Sequence, residues 1–186
     1  MIGYAFCGSF CTLSASLERL RALIENGYDV LPIMSRNVRT LDTRFYRAED
    51  FYREVCEISG REPICTIEDA EPLGPKIKLD ALVICPCTGN TLAKLAAGIT
   101  DTPVCMAAKA HLRADRPLLI ALSTNDALSA NMKNIGTMLE KKNVYFVPMK
   151  QDDPILKPHS LVAELSLLPQ ALKAATVGKQ LPKIFC

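Results

Sequence analysis

Five short polar clusters carry most of the chemistry available to this chain. They are Gly8-Ser9, Ser35-Arg36, Thr88-Gly89-Asn90-Thr91, Ser123-Thr124-Asn125-Asp126 and Gln151-Asp152-Asp153. Each directly follows an apolar run that reads as a strand. Small hydroxyls, carboxamides and glycine backbone in that position can hold a phosphate or hydrogen-bond the edge of a flat heterocycle. Gly8-Ser9 has neither the longer glycine fingerprint of dinucleotide sites nor the lysine of a Walker loop, so taken alone it is equally an ordinary tight turn. Thr88 to Thr91 precede a helical pattern, where Asn and Thr are favoured as caps, and capping accounts for one of the four residues.

Other reactive side chains point elsewhere. Cys85-Pro86-Cys87 and Cys7-x-x-x-Cys11 lack the spacing of zinc sites, and neither His111 nor His159 stands near them in sequence, so no metal is expected. Ser123 and Cys87 lie in no recognisable nucleophile motif, which argues against hydrolase chemistry and leaves catalytic residues unassigned. Arg36, Arg39, Arg44 and Arg47 are interleaved with Asp42, Glu49 and Asp50, the composition of a solvated face. One of them, Arg44 in Thr43-Arg44-Phe45, is the candidate for a two-pronged grip on a substrate carboxylate.

The elements that must position these groups alternate. Apolar runs over 2–7, 28–34, 81–85, 117–122 and 144–147 read as strands. Helical spacing over 13–24 ends at Gly27, and a second helix over 91–97 ends at Gly98. Further helices are expected over 43–56 and 128–141, with a last one over 162–175 interrupted near Pro169. Pro72 and Pro75 mark 68–79 as loop. Strands joined by helical crossovers require a parallel sheet covered on both faces, hence a doubly wound α/β fold. In such a sheet the loops after the strands open on one edge, where ligands bind.

The chain has 186 residues, of which 49% are hydrophobic and 23% charged, enough for one compact domain spanning 1–186 and too apolar for disorder. Twenty-two Lys and Arg against twenty Asp and Glu leave a net charge of +2, too balanced for a nucleic-acid or membrane-surface protein. The first seventeen residues are uncharged, but no Lys or Arg precedes them and Gly8, Ser9, Thr12, Ser14 and Ser16 interrupt them, so no secretory signal is expected. A cytoplasmic location follows, with the eight cysteines as reduced thiols.

The segment Pro86-Cys87-Thr88-Gly89-Asn90-Thr91-Leu92-Ala93-Lys94 resembles the Pro-x-Ser/Thr-x-Asn-Thr-x-Ala-Lys segment of the flavoprotein family that includes the phosphopantothenoylcysteine decarboxylases. Further runs extend the likeness over nearly the whole chain: Thr100-Asp101-Thr102-Pro103-Val104, Ser123 to Leu128, and Gln151-Asp152-Asp153-Pro154 with Lys157-Pro158. They resemble a dipicolinate-forming branch of that family. The resemblance implies a Rossmann-like or flavodoxin-like three-layer fold and an oxidoreductase subunit in the mother cell of a spore-forming bacterium. It would act with a separate NAD(P)-binding A subunit to oxidise dihydrodipicolinate to dipicolinate.

Carried over by position, the resemblance implies FMN contacts at Gly8, Ser9, Ser35, Thr88, Gly89, Asn90, Thr91, Ser123, Thr124 and Asn125, and a homo-oligomer built on trimers. Two departures set the chain apart from the decarboxylases. Leu122-Ser123-Thr124-Asn125 stands where they carry Pro-Ala-Met-Asn, and nothing between Ile58 and Asp80 matches their catalytic histidine. The rival readings are a binding subunit without redox chemistry and a flavin-dependent decarboxylase of a cysteinyl substrate.

Overall fold

The computed structural model describes residues 1–186. Apolar β1 (Ile2–Phe6) leads through a 3-10 turn into α1 (Leu13–Glu25), whose buried Leu13, Leu17, Leu20 and Leu23 recur at helical spacing. β2 (Val30–Met34), α2 (Arg36–Thr40), α3 (Ala48–Ser59) and α4 (Ile67–Ala70) follow. β3 (Ala81–Cys87) is buried along its whole length, as a central strand covered on both faces must be. α5 (Gly89–Ala97) ends at Gly98, whose φ of 73° is left-handed. Then come α6 (Pro103–Arg113), β4 (Leu118–Thr124), α7 (Met132–Leu139), β5 (Val144–Phe146), β6 (Met149–Asp153), β7 (Lys157–Ala163) and α8 (Leu168–Thr176).

β2, β1, β3, β4 and β5 pair in that order, all parallel. Side-chain alternation sorts the core into two layers. Leu82, Ile84, Leu118 and Ile120 face α5, α6 and α7, while Val83, Cys85, Leu119 and Ala121 face α1, α3 and α8. The layers hold 26 and 22 buried residues, so neither face of the sheet is left to solvent. This is the doubly wound α/β architecture expected from the alternating pattern.

The sheet is nevertheless not wholly parallel. β5 covers only Leu118–Ile120 of β4, and the same edge higher up, Ser123 and Thr124, pairs antiparallel with β7, which in turn carries β6. Two expectations are corrected here. Gln151-Asp152-Asp153 belongs to β6 instead of a free loop, and the helix expected from residue 162 starts at Leu168. Long-range pairing with β4 overrides the local helical spacing, and Pro169 stands in the first turn of α8, where its missing N–H costs nothing.

Three smaller differences concern helices. The helix expected over 43–56 begins at Ala48, because Asp42 Oδ1 accepts from the Ala48 amide at 2.8 Å. Within the loop expected over 68–79, Thr66 caps the four-residue α4. α6 is not among the expected helices, although Thr102 caps it and Pro103 stands in its first turn. Cys7, Cys85, Cys87 and Cys105 are buried as expected, but Cys11 and Cys186 are exposed.

Candidate functional site

The carboxyl ends of β1, β3 and β4 are adjacent in the sheet, so their loops meet. Thr88 supplies the cap of α5, its Oγ1 accepting from the Thr91 amide at 3.2 Å. Thr91 Oγ1 turns down to donate to Cys7 Sγ at 3.3 Å, tying α5 to the end of β1. Gly89 packs where any side chain would collide. A Cβ there would stand 2.5 Å from Asn131 Nδ2, 2.6 Å from Thr124 Oγ1 and 2.9 Å from Asp126 Oδ1. Those three groups are themselves linked, since Thr124 and Asn131 each donate to one oxygen of Asp126. Ser9, Thr12 and Ser123 close a triangle of hydroxyls with edges of 3.1, 2.9 and 2.9 Å, which fastens the β1 loop to the β4 loop.

Two groups in these loops are left over. Asn90 is exposed and its carboxamide bonds nothing within the chain. Ser35, after β2, donates its amide to Phe6 O at 2.9 Å, but its buried Oγ has no partner.

These groups line two adjoining cavities that share Gly8, Thr88 and Asn90. The first, of about 650 Å³, is walled by Ser123, Asn125, Asp126 and Phe45, and by Asp152 and Lys157 from the β6–β7 hairpin. The second, of about 710 Å³, is walled by Ser35, Arg36, Thr66 and Lys94. Lys94 is held by both oxygens of Asp101 at 2.8 Å, whereas Arg36 enters no ion pair. The second cavity therefore offers an unused hydroxyl, an unpaired guanidinium and the first amides of α5, which have no partner inside the helix. That donor set fits a phosphate monoester. Amides, hydroxyls and the Phe45 ring fit the first cavity to a flat polar ring.

All ten positions read from sequence as cofactor contacts line one or both of these cavities. Their uses differ. Thr88, Gly89, Thr91, Ser123 and Thr124 build the frame, while Ser35 and Asn90 are free. Arg44 is exposed, with its guanidinium 4.8 Å over the Phe45 ring, and reaches the first cavity only through that ring. Thr12 belongs to the frame of the site and Lys157 to the wall of the first cavity, and neither is read from sequence as a site residue. Thr12 looks like an ordinary helix-start residue, and Lys157 enters the site only through a hairpin that local spacing does not announce.

The buried thiols beneath the site stay protonated at neutral pH. Burial pushes Cys7 up to about 12 and Cys85 up to about 11, and raises Cys87 as well. His111 is equally remote from chemistry. Burial lowers its pKa, and its Nε2 bonds Pro117 O at 2.9 Å in the interior.

Residues 2–164 match the Flavoprotein family, and the chain belongs to it. It is 43% identical over 183 residues to the B subunit of dipicolinate synthase from Bacillus subtilis (strain 168), spanning 98% of this chain and 92% of that protein. The crystal structure of the corresponding B subunit of dipicolinate synthase from Bacillus halodurans C is similar at a TM-score of 0.91 and 39% identity, covering 100% of this chain and 95% of that one. The FMN-dependent cysteine decarboxylase SpaF is similar at a TM-score of 0.69 and 26% identity, covering 94% and 95%. No helix of the chain is long and apolar enough to cross a membrane.

Proposed function

We propose that this chain works as one subunit of a dipicolinate synthase, binding FMN in the paired cavities and acting with a separate NAD(P)-binding A subunit on dihydrodipicolinate. Near-full-length similarity to B subunits of that enzyme supports the reading. The observation that carries the cofactor is Ser35 Oγ, buried and unpartnered beside a cavity that also takes in Gly8 and the start of α5. In this reading Ser35, Gly8 and the α5 amides hold the phosphate, with Ser9 beside them on the wall of the first cavity. Asn90, with Ser123, Thr124 and Asn125, faces the ring edge, where a carboxamide can both donate and accept.

Aromatising the substrate removes a hydride and a proton, and side chains can accept only the proton. FMN, when bound, supplies a two-electron acceptor. Asp152 is engaged by Lys157, whereas Asp126 is aligned by Thr124 and Asn131 on the wall of the first cavity. Asp126 is therefore the carboxylate placed to take the proton. Arg44, stacked on Phe45 at the mouth, is the proposed grip on a substrate carboxylate. The chain acts in the mother-cell cytoplasm as a homo-oligomer of one-domain protomers.

Purification tests the reading. Yellow protein whose bound flavin has the mass of FMN, forming dipicolinate when mixed with the NAD(P)-binding partner, is the expected result. Colourless protein that takes up no FMN yet activates that partner would make the chain a pure binding component, and release of carbon dioxide from a cysteinyl peptide would make it a decarboxylase.

A further inference from the structure

The walls of the first cavity carry three charged side chains, Asp126, Asp152 and Lys157, so Lys157 is their only cation. The substrate of the proposed reaction is a ring with a carboxylate on each carbon flanking its nitrogen. Arg44, at the rim, is the proposed grip for one of them. The other, brought inside beside two aspartates, needs a cation and a hydrogen-bond donor, because a desolvated anion with neither is strongly disfavoured.

Two residues of β7 meet that need. Ser160 is 3% exposed and, with Val162 two positions on, lines the cavity, yet its hydroxyl bonds to nothing within the chain. A buried serine normally gives its hydroxyl to a neighbour, as Ser16 does to Thr12 O at 3.0 Å. Lys157 is engaged by Asp152 alone. The two side chains of that pair are 54% and 37% exposed, so the pair is weak and open to exchange. The hairpin does not depend on it. Gln151 Nε2 donates to Pro158 O at 3.1 Å, and Asp153 Oδ1 accepts from the amides of Ile155 and Leu156 at 3.1 and 2.9 Å.

We infer that Lys157 and Ser160 form a seat for the second carboxylate, Lys157 exchanging Asp152 for it while Ser160 Oγ donates to it. The inference rests on the reading of this chain as a dipicolinate synthase subunit and adds the feature that selects the substrate class. A nitrogen ring with two flanking carboxylates is held at both ends. One with a single carboxylate leaves Ser160 unpaired and Lys157 on Asp152, and a site built to bond a polar group rejects the analogue that lacks it.

The test is calorimetric titration of the full chain, in excess FMN, with pyridine-2,6-dicarboxylate and with pyridine-2-carboxylate, which lacks one carboxylate. Neither titration involves turnover. Wild type is expected to bind the dicarboxylate roughly tenfold more tightly. Lys157→Met removes the charge at an exposed position, and should bring the dicarboxylate down to the affinity of the monocarboxylate without altering the latter. Lys157→Arg should keep the preference. Ser160→Ala deletes an atom that bonds nothing in the chain, so circular dichroism and thermal unfolding should match wild type while the preference shrinks. Asp152→Asn has the opposite sign: with the competing carboxylate gone, the dicarboxylate should bind more tightly than to wild type. Binding of the dicarboxylate without preference, a preference untouched by Lys157→Met or Ser160→Ala, or weaker binding in Asp152→Asn would each overturn the seat and leave the proposed reaction standing. A wild type that binds neither compound would overturn both.

Discussion

Two buried side-chain atoms of this molecule have no hydrogen-bond partner, Ser35 Oγ and His111 Nδ1, and they stand in opposite circumstances. Ser35 lies at the carboxyl end of the parallel strands, on the wall of a cavity beside an unpaired arginine and free helix amides. His111 lies in the packed interior, where Nε2 has already donated to a carbonyl. With the proton on Nε2, the bare Nδ1 is only an unused acceptor, and depressed basicity keeps the ring neutral. One unsatisfied atom is thus a hydroxyl on the wall of a cavity, and the other a cost absorbed by the core. Position relative to a cavity separates the two, since burial is common to both.

Breaking the frame of the site should have the largest effect. Gly89→Ala would push a methyl into Asn131, Thr124 and Asp126, and a loss of about 3 kcal/mol in urea unfolding is expected from such overpacking. Asn90→Asp alters a free group and leaves the frame intact. It should keep full stability while FMN affinity falls on the order of 100-fold, measured by fluorescence titration, because a donor becomes a negative charge beside the phosphate-binding amides. Ser35→Ala sharpens the contrast most directly. It deletes an atom that bonds nothing in the free chain, so stability should not fall, whereas FMN affinity should drop roughly tenfold.

The cap supplies a further discrimination. Thr88→Ala should lose about 1 kcal/mol of stability, and Asn90→Ala should lose none, because Thr88 Oγ1 accepts from the Thr91 amide. Equal losses in the two variants would contradict the division between frame and free groups. The smallest effect belongs to His111. Its folded pKa lies below the ordinary 6.5, so the folded state binds protons less readily than the unfolded one. Its contribution is complete above pH 6.5 and is lost progressively as pH falls from there toward the folded value. His111→Gln keeps a donor for Pro117 O without titrating, and should flatten the stability slope below pH 6.5 in chemical denaturation.

Much of this is legible in the sequence alone. Strand and helix alternation, the helix end at Gly98 and the placing of four polar clusters after parallel strands depend on near neighbours in sequence, where periodicity and glycine conformation act directly. The family resemblance is likewise carried by contiguous residues around Thr88 to Lys94. The division of labour among those residues is not legible. Thr88 and Asn90 are both acceptable caps by type, and Thr91 finds Cys7 only because β1 and β3 pair.

Tertiary structure alone decided the rest. Residues 157–163 form a strand because the upper edge of β4, left open by the short β5, offers unpaired backbone, and satisfying that edge outweighs a local helical pattern. That hairpin brings Lys157 to the cleft, while Arg44 remains stacked on Phe45 at its rim. Residue type announced which groups could bind a ligand. Which of them were left unbonded to do so depended on contacts between residues up to 114 positions apart, such as Ser9 with Ser123, which no local pattern contains.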